Sequence, residues 1–156
     1  MENFTYSIPT TIHFGKRQIE KLGAEVAKKC TKILLVFGGG SVKRNGVYDD
    51  AIAQLNSCGI AHIDFSGVEP NPKIGTVREG VRVCKENGVD GILALGGGSI
   101  IDCSKTIAAG ALYDGDAWDF LTHKAEPVKA LPIYAVVTIA ATGSEMDRRY
   151  LQPRYE

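Results

Sequence analysis

Apolar residues fall into two alternating patterns along the chain. Short continuous apolar runs take turns with longer stretches in which apolar positions recur every three or four residues. The first such run is Ile33-Leu34-Leu35-Val36-Phe37, within residues 32–37 and closed by glycine. A continuous run bounded by glycine predicts a strand buried on both faces, as in a parallel sheet. Residues 60–65, 91–95 and 133–138 read as further strands of the series, the last entered from Pro132. Ahead of them, residues 10–14 read as a further β-rich strand.

Helical spacing fills the intervals. Ile19, Leu22 and Val26 predict a helix over 16–29, with Lys28 and Lys29 in its last turn, where cations suit the helix dipole. Val47, Ala51 and Leu55 predict a second helix, stopped by Gly59. Ile74, Val77, Val81 and Cys84 predict a third, closed at Gly88, and a fourth runs from Ser99 to about Ala109. Before the third helix, Glu69-Pro70-Asn71-Pro72 predicts a rigid loop, because proline fixes φ and restricts the residue before it. Alternation of this kind predicts an α/β, Rossmann-like parallel sheet with helices on both faces.

Composition narrows the function classes. A chain of 156 residues, 44% hydrophobic, suits one domain with its own core. Eighteen Lys+Arg balance 18 Asp+Glu, and zero net charge argues against a nucleic-acid partner. No stretch approaches the ~20 apolar residues that span a bilayer. The N-terminus lacks the layout of a signal peptide, so a reducing cytoplasm is the expected location. Cys30, Cys58, Cys84 and Cys103 form no Cys-x-x-Cys and read as buried free thiols. His13, His62 and His123 form no His-x-x-x-His pair, lie near no carboxylate at ligand spacing, and read as core-edge or surface residues.

Glycine changes the picture. Average usage gives about 11 in a chain of this length, and there are 18. Six stand in two triplets, Gly38-Gly39-Gly40 and Gly96-Gly97-Gly98, each where a strand gives way to a helix. In open α/β sheets, ligands bind beyond the carboxyl ends of strands. Glycine lets the backbone approach a phosphate closely, and a helix N-terminus offers N–H groups and partial positive charge. Ser41 and Ser99 end the triplets and can cap a helix or donate a hydroxyl. The usual fingerprints are absent: G-x-G-x-x-G needs glycine at 101, which is Ile101, and there is no Walker A motif. One triplet alone reads as a flexible turn; two at matching junctions point to phosphate or dinucleotide binding. An acid at the end of the first nucleotide strand would bind ribose hydroxyls and repel a 2′-phosphate. Here that position is glycine, followed by Ser41, Lys43 and Arg44, which predicts NADP over NAD.

Gly96-Gly97-Gly98-Ser99-Ile100-Ile101-Asp102, with Lys105 following, resembles the G-G-G-S-x-x-D-x-x-K core of iron-dependent (group III) alcohol dehydrogenases. Phe14-Gly15, Gly38-Gly39-Gly40-Ser41, Glu69-Pro70-Asn71-Pro72 and the segment 138–145 follow in that family's order, over residues 1 to about 147. The butanol dehydrogenase-like branch is the most similar. Glycerol dehydrogenases and dehydroquinate synthases share the Gly-Gly-Gly-Ser loop, but Ala141-Thr142-Gly143-Ser144-Glu145 and Glu69-Pro70-Asn71-Pro72 favour the alcohol dehydrogenase branch.

The resemblance implies a dehydroquinate synthase-like dinucleotide-binding domain over 1–147 and alcohol/aldehyde interconversion by hydride transfer. It implies a cofactor site of Gly38, Gly39, Gly40, Ser41, Asn71, Gly96, Gly97, Gly98, Ser99, Asp102, Thr138 and Thr142. Within it, Gly97, Gly98 and Ser99 hold the pyrophosphate and Asp102 lies toward the nicotinamide. Asn71 lies at the adenosine end, and Thr138 and Thr142 line the groove. On the residues alone, Asp102 fits a helix-turn cap, Asn71 a turn between prolines, and Thr138 an ordinary strand position. The family's iron or zinc, held by an Asp and three His in a C-terminal helical domain, has no ligands here. The chain alone is therefore expected to bind a nucleotide without catalysis. Residues 148–156 read as an atypical tail, pointing to truncation or a shifted frame. A stand-alone nucleotide-binding or interaction domain is the alternative, and a glycerol dehydrogenase-like fragment is the alternative within the fold. A homodimer through the N-terminal strand, residues 4–14, is also implied, and an unpartnered half would expose apolar surface that favours association.

Overall fold

A computed structural model of the chain describes residues 9–139 and 143–146. The apolar runs form four strands: β1 (Lys32–Phe37), β2 (Ala61–Phe65), β3 (Gly91–Gly96) and β4 (Ile133–Val137). All pair in parallel, in the order β2-β1-β3-β4. The expected α/β class and parallel sheet are what the structure has.

Strand side chains alternate between two apolar layers. Ile33, Leu35 and Phe37 of β1 join Leu93 and Leu95 of β3 on one face. Helices α1 (Leu22–Ala27), α2 (Ser41–Arg44) and α3 (Val47–Ser57) cover that face with Leu22, Val26, Val42, Ala51 and Leu55. Leu34 and Val36 join Ile92 and Ala94 on the other. There α4 (Ile74–Asn87), α5 (Gly98–Ala111) and the single turn α6 (Trp118–Leu121) contribute Val77, Cys84, Ile101, Ile107 and Phe120. The two central strands are buried on both faces, which is why their sequence is continuous rather than alternating. Helices α4 and α5 meet at Gly80 and Gly110; a Cβ at Gly110 would come within 2.6 Å of Val81 Cγ2. Gly88, at φ 61°, closes α4 in the left-handed conformation that glycine adopts without strain.

Four expectations are corrected. Residues 10–14 form no strand: Phe14 is 94% and Ile12 59% exposed, and no described strand pairs with this segment to give it a ladder. The first helix is shorter than expected, a 3-10 turn (Gln18–Lys21) leading into α1. Its cap is Lys28, so Lys28 and Lys29 lie beyond the last turn, where the chain bends toward β1. Cys58 is exposed, at the end of α3; the other three cysteines are buried.

At the amino ends of the strands, Asp90 ties β1 to β3. Its carboxylate accepts the Thr31 N–H at 2.8 and 3.0 Å, the Thr31 hydroxyl at 2.7 Å and the Lys32 N–H at 2.8 Å. Burial alone would raise its pKa. The hydrogen bonds from Thr31 and Lys32 outweigh burial and hold it below the ordinary carboxylate value.

Candidate functional site

Because β1 and β3 are neighbours in the sheet, their carboxyl ends deliver the two glycine triplets side by side. The contact is close: a Cβ at Gly38 would lie 3.1 Å from the Val68 carbonyl oxygen and 3.5 Å from Ile100 Cδ1, in the first turn of α5. The loop leaving β2 is tied in as well, Gly67 N–H donating to the Gly38 carbonyl at 3.4 Å and Val68 N–H to that of Phe37 at 3.3 Å. From the far side, Thr138 N–H donates to the Gly96 carbonyl at 3.1 Å, so the end of β4 borders the second triplet.

Helix α5 starts immediately after Gly97, whose carbonyl accepts the N–H groups of Ile100 and Ile101 at 3.1 and 3.2 Å. The N–H groups of a first turn have no intrahelical acceptor and carry the positive end of the helix dipole. Those of Gly98 and Ser99 belong to that turn.

The glycines here are of two kinds. Gly96, Gly38 and Gly40 are required by the fold itself. A Cβ at Gly96 would come within 2.6 Å of Ile100 Cγ1, Gly38 is pressed against Val68, and Gly40 has φ 99°. Gly39 and Gly97 are not so required. Neither is left-handed, no atom lies within 4 Å of a Cβ placed on Gly39, and a Cβ on Gly97 would meet only Ile139 Cβ, at 3.9 Å. Their missing side chains leave open space over the two loops. That space beside a helix N-terminus fits the phosphates of a dinucleotide.

The remaining expected residues divide. Ser41 is exposed and is the first residue of α2, whose cap position is held by Gly40. Asp102 lies one turn into α5 with Lys105 Nζ 3.8 Å away, so it does not cap the helix. Beneath it the Cys103 thiol is pushed up to about 12, by burial first and by the nearby Glu69 and Asp102 carboxylates second. Asn71 has φ 56° in the exposed loop after β2, a turn conformation that asparagine tolerates. Thr138 has an exposed side chain just past β4. Thr142 lies outside the described residues.

Asp64 is the residue that the sequence reading missed. It stands on β2, opposite Leu35 of β1, and so on the face of the sheet that carries α3. Its carboxylate accepts the Tyr48 hydroxyl at 2.8 Å and sits 3.4 Å from Lys43 Nζ. Lys43 in turn lies over the rings of Tyr48, at 4.3 Å, and Phe37, at 5.0 Å. Burial and then the Asp64 carboxylate push the Tyr48 hydroxyl up to about 12. The sequence expects no acid against these cations. The structure brings one from the neighbouring strand, and only the alternation of β2, with Ile63 and Phe65 turned the other way, hints at it. Arg44 is different: its Nη1 lies 3.6 Å from where a Gly40 Cβ would be, close over the loop.

The described residues do not fit a metal centre. No group of three or more His, Cys, Asp or Glu side chains could hold an ion among them. His13 does meet a carboxylate, with Nε2 3.6 Å from Glu25 Oε1, but Lys28 shares that carboxylate at 2.7 Å and no third ligand joins them. Among the described residues no helix is long and apolar enough to cross a membrane.

Known proteins share this arrangement. The family model for iron-containing alcohol dehydrogenase matches residues 9–151. NADH-dependent butanol dehydrogenase A of Clostridium acetobutylicum is 54% identical over 148 residues, covering 95% of this chain and 38% of the relative. The NADPH-dependent aldehyde reductase YqhD of Escherichia coli is 40% identical, with 94% of this chain and 38% of the relative covered. The crystal structure of NADH-dependent butanol dehydrogenase A from Thermotoga maritima superposes with a TM-score of 0.90 at 49% identity, over 94% of this chain and 37% of that one. The chain thus spans a little over a third of the length of the relatives it matches. With motif order, loop geometry and family match in agreement, the chain belongs to the iron-containing alcohol dehydrogenase family.

Proposed function

We propose that this chain is the dinucleotide-binding part of an alcohol/aldehyde oxidoreductase, with the cofactor lying across the carboxyl edge of β1 and β3. The observation that carries the reading is the pair Gly39 and Gly97, glycines for which neither backbone conformation nor packing accounts. In this reading Gly97, Gly98 and Ser99 hold the pyrophosphate against the start of α5. Gly38, Gly39, Gly40 and Ser41 face the adenosine ribose, with Asn71 beyond them. Gly96 shapes the loop, Asp102 lies toward the nicotinamide, and Thr138 and Thr142 flank the groove. The cofactor supplies the hydride, and the protein supplies binding and orientation.

The choice between NADP and NAD turns on Lys43 and Arg44. Taken as two unopposed cations they favour NADP. With Lys43 held by Asp64, the charge over the ribose is reduced to that of Arg44, and NAD becomes the favoured ligand. The NADH-dependent relatives at 54% and 49% identity support that reading. Fluorescence titration of the purified chain with NADH and NADPH tests both levels. Binding of NADH more tightly than NADPH is expected; binding of neither overturns the assignment.

We place the iron or zinc ligands of the family outside this chain, and infer that the chain alone binds cofactor without turnover. Alcohol-dependent reduction of NAD or NADP by the purified chain with added iron or zinc would refute this. The apolar residues Ile12 and Phe14, exposed in the segment expected to pair, support a homodimer through residues 4–14. A monomer by light scattering would count against it. The cytoplasm remains the proposed location.

A further inference from the structure

Beyond binding itself, and resting on the dinucleotide reading above, we propose that Asp64 sets the choice between NAD and NADP by holding Lys43 away from the ribose 2′ position. Three contacts fix Lys43: the Asp64 carboxylate at 3.4 Å, the Tyr48 ring at 4.3 Å and the Phe37 ring at 5.0 Å. Asp64 is itself fixed by the Tyr48 hydroxyl at 2.8 Å. Phe37 is the last residue of β1, so the lysine head is folded back onto the strand end beneath the first triplet. Lys43 is only two residues past Ser41, and its flexible stem lets the ammonium reach toward the ribose once the carboxylate is gone. Arg44, over Gly40, has no such acidic neighbour among the described residues.

Asp64 acts through Lys43: it neutralises and holds back a cation that would otherwise attract a 2′-phosphate. It differs from the usual ribose-binding acid, which contacts the 2′-hydroxyl directly. Here the carboxylate works through a lysine and is a positioning residue. The pair is half-exposed, so the expected effect is moderate.

The test measures dissociation constants of NADH and NADPH for the 156-residue chain, its Asp64→Asn and Asp64→Ala variants, and both substitutions repeated in a Lys43→Met background. Asp64→Asn is expected to move the affinity ratio toward NADPH by roughly three- to tenfold. In the Lys43→Met background the same substitution is expected to move it by less than about twofold, because little is left to release. An unchanged ratio in both Asp64 variants overturns the proposal. A shift of equal size with and without Lys43 also overturns it, since the carboxylate would then act directly. If the unaltered chain binds neither dinucleotide, the reading of the site fails first and is distinguished from a failure of the tether.

Discussion

The amino and carboxyl ends of β1 and β3 are built on opposite principles. At the amino ends a side chain fills the gap: Asp90 takes four hydrogen bonds from Thr31 and Lys32 and ties the strands together. At the carboxyl ends the side chains are removed, and Gly39 and Gly97 leave open space over the backbone. The first arrangement satisfies donors within the chain. The second leaves the first-turn N–H groups of α5 without an intrahelical acceptor. In the proposed reading one end is made for stability and the other for a ligand, and single substitutions at each should separate the two properties.

The largest effect is expected at the open end. Gly97→Val places side-chain atoms where the phosphates would lie, at a φ of −97° that valine adopts readily. Dinucleotide affinity should fall at least roughly tenfold to a hundredfold, about 1.4–2.8 kcal/mol. Stability should stay within about 0.5 kcal/mol, as for a substitution into open space. Titration with NADH alongside urea unfolding reads both quantities. Unchanged binding together with lost stability would reverse the assignment of this end.

At the closed end the pattern should invert. Asp90→Ala strands the Thr31 and Lys32 amides and should cost about 1–2 kcal/mol in urea unfolding, with cofactor affinity unchanged. The clamp is also a pH device. The folded pKa of Asp90 lies below the ordinary 3.8, so the folded state binds fewer protons than the unfolded one in acid. Its contribution is complete above that ordinary value and fades as pH falls through the lowered folded value. The unaltered chain should therefore lose more stability than Asp90→Asn does as pH falls from about 5 through 3.8 toward the lowered folded value. Parallel acid titrations of the two proteins would argue against the clamp.

Much of the open end was legible in the sequence, and little of the closed end was. Gly38-Gly39-Gly40-Ser41 and Gly96-Gly97-Gly98-Ser99 are contiguous, so the motif and its place after a strand are local facts. Asp90 pairs with residues 58 to 59 positions away, which no spacing rule reaches. The same limit hid Asp64, 21 residues from Lys43 and brought to it by strand pairing. Periodicity located the central strands and longer helices, because buried elements carry strong patterns. It failed at residues 10–14, whose strand-like composition meets no partner strand among the described residues, and at the single turns α2 and α6, too short to show a period.

The smallest effect sharpens the comparison by asking where the open end stops. Helix α5 begins at the second glycine triplet and runs down into the core. Within it Thr106 is fully buried and its hydroxyl donates to the Asp102 carbonyl at 3.0 Å. Ser104, equally buried and two residues nearer the loop, has a hydroxyl with no hydrogen-bond partner among the described residues. An unmet buried hydroxyl costs free energy, and its replacement by alanine removes one atom and leaves almost no cavity. Ser104→Ala should therefore stabilise the chain by up to about 1 kcal/mol, while Thr106→Val, which discards a made bond, should destabilise it. Neither should alter NADH affinity if the ligand contacts only the first turn of α5. A fall in affinity on Ser104→Ala would extend the ligand-dependent end more than a full turn into the helix, and the division between the two ends would have to be redrawn below Ser104.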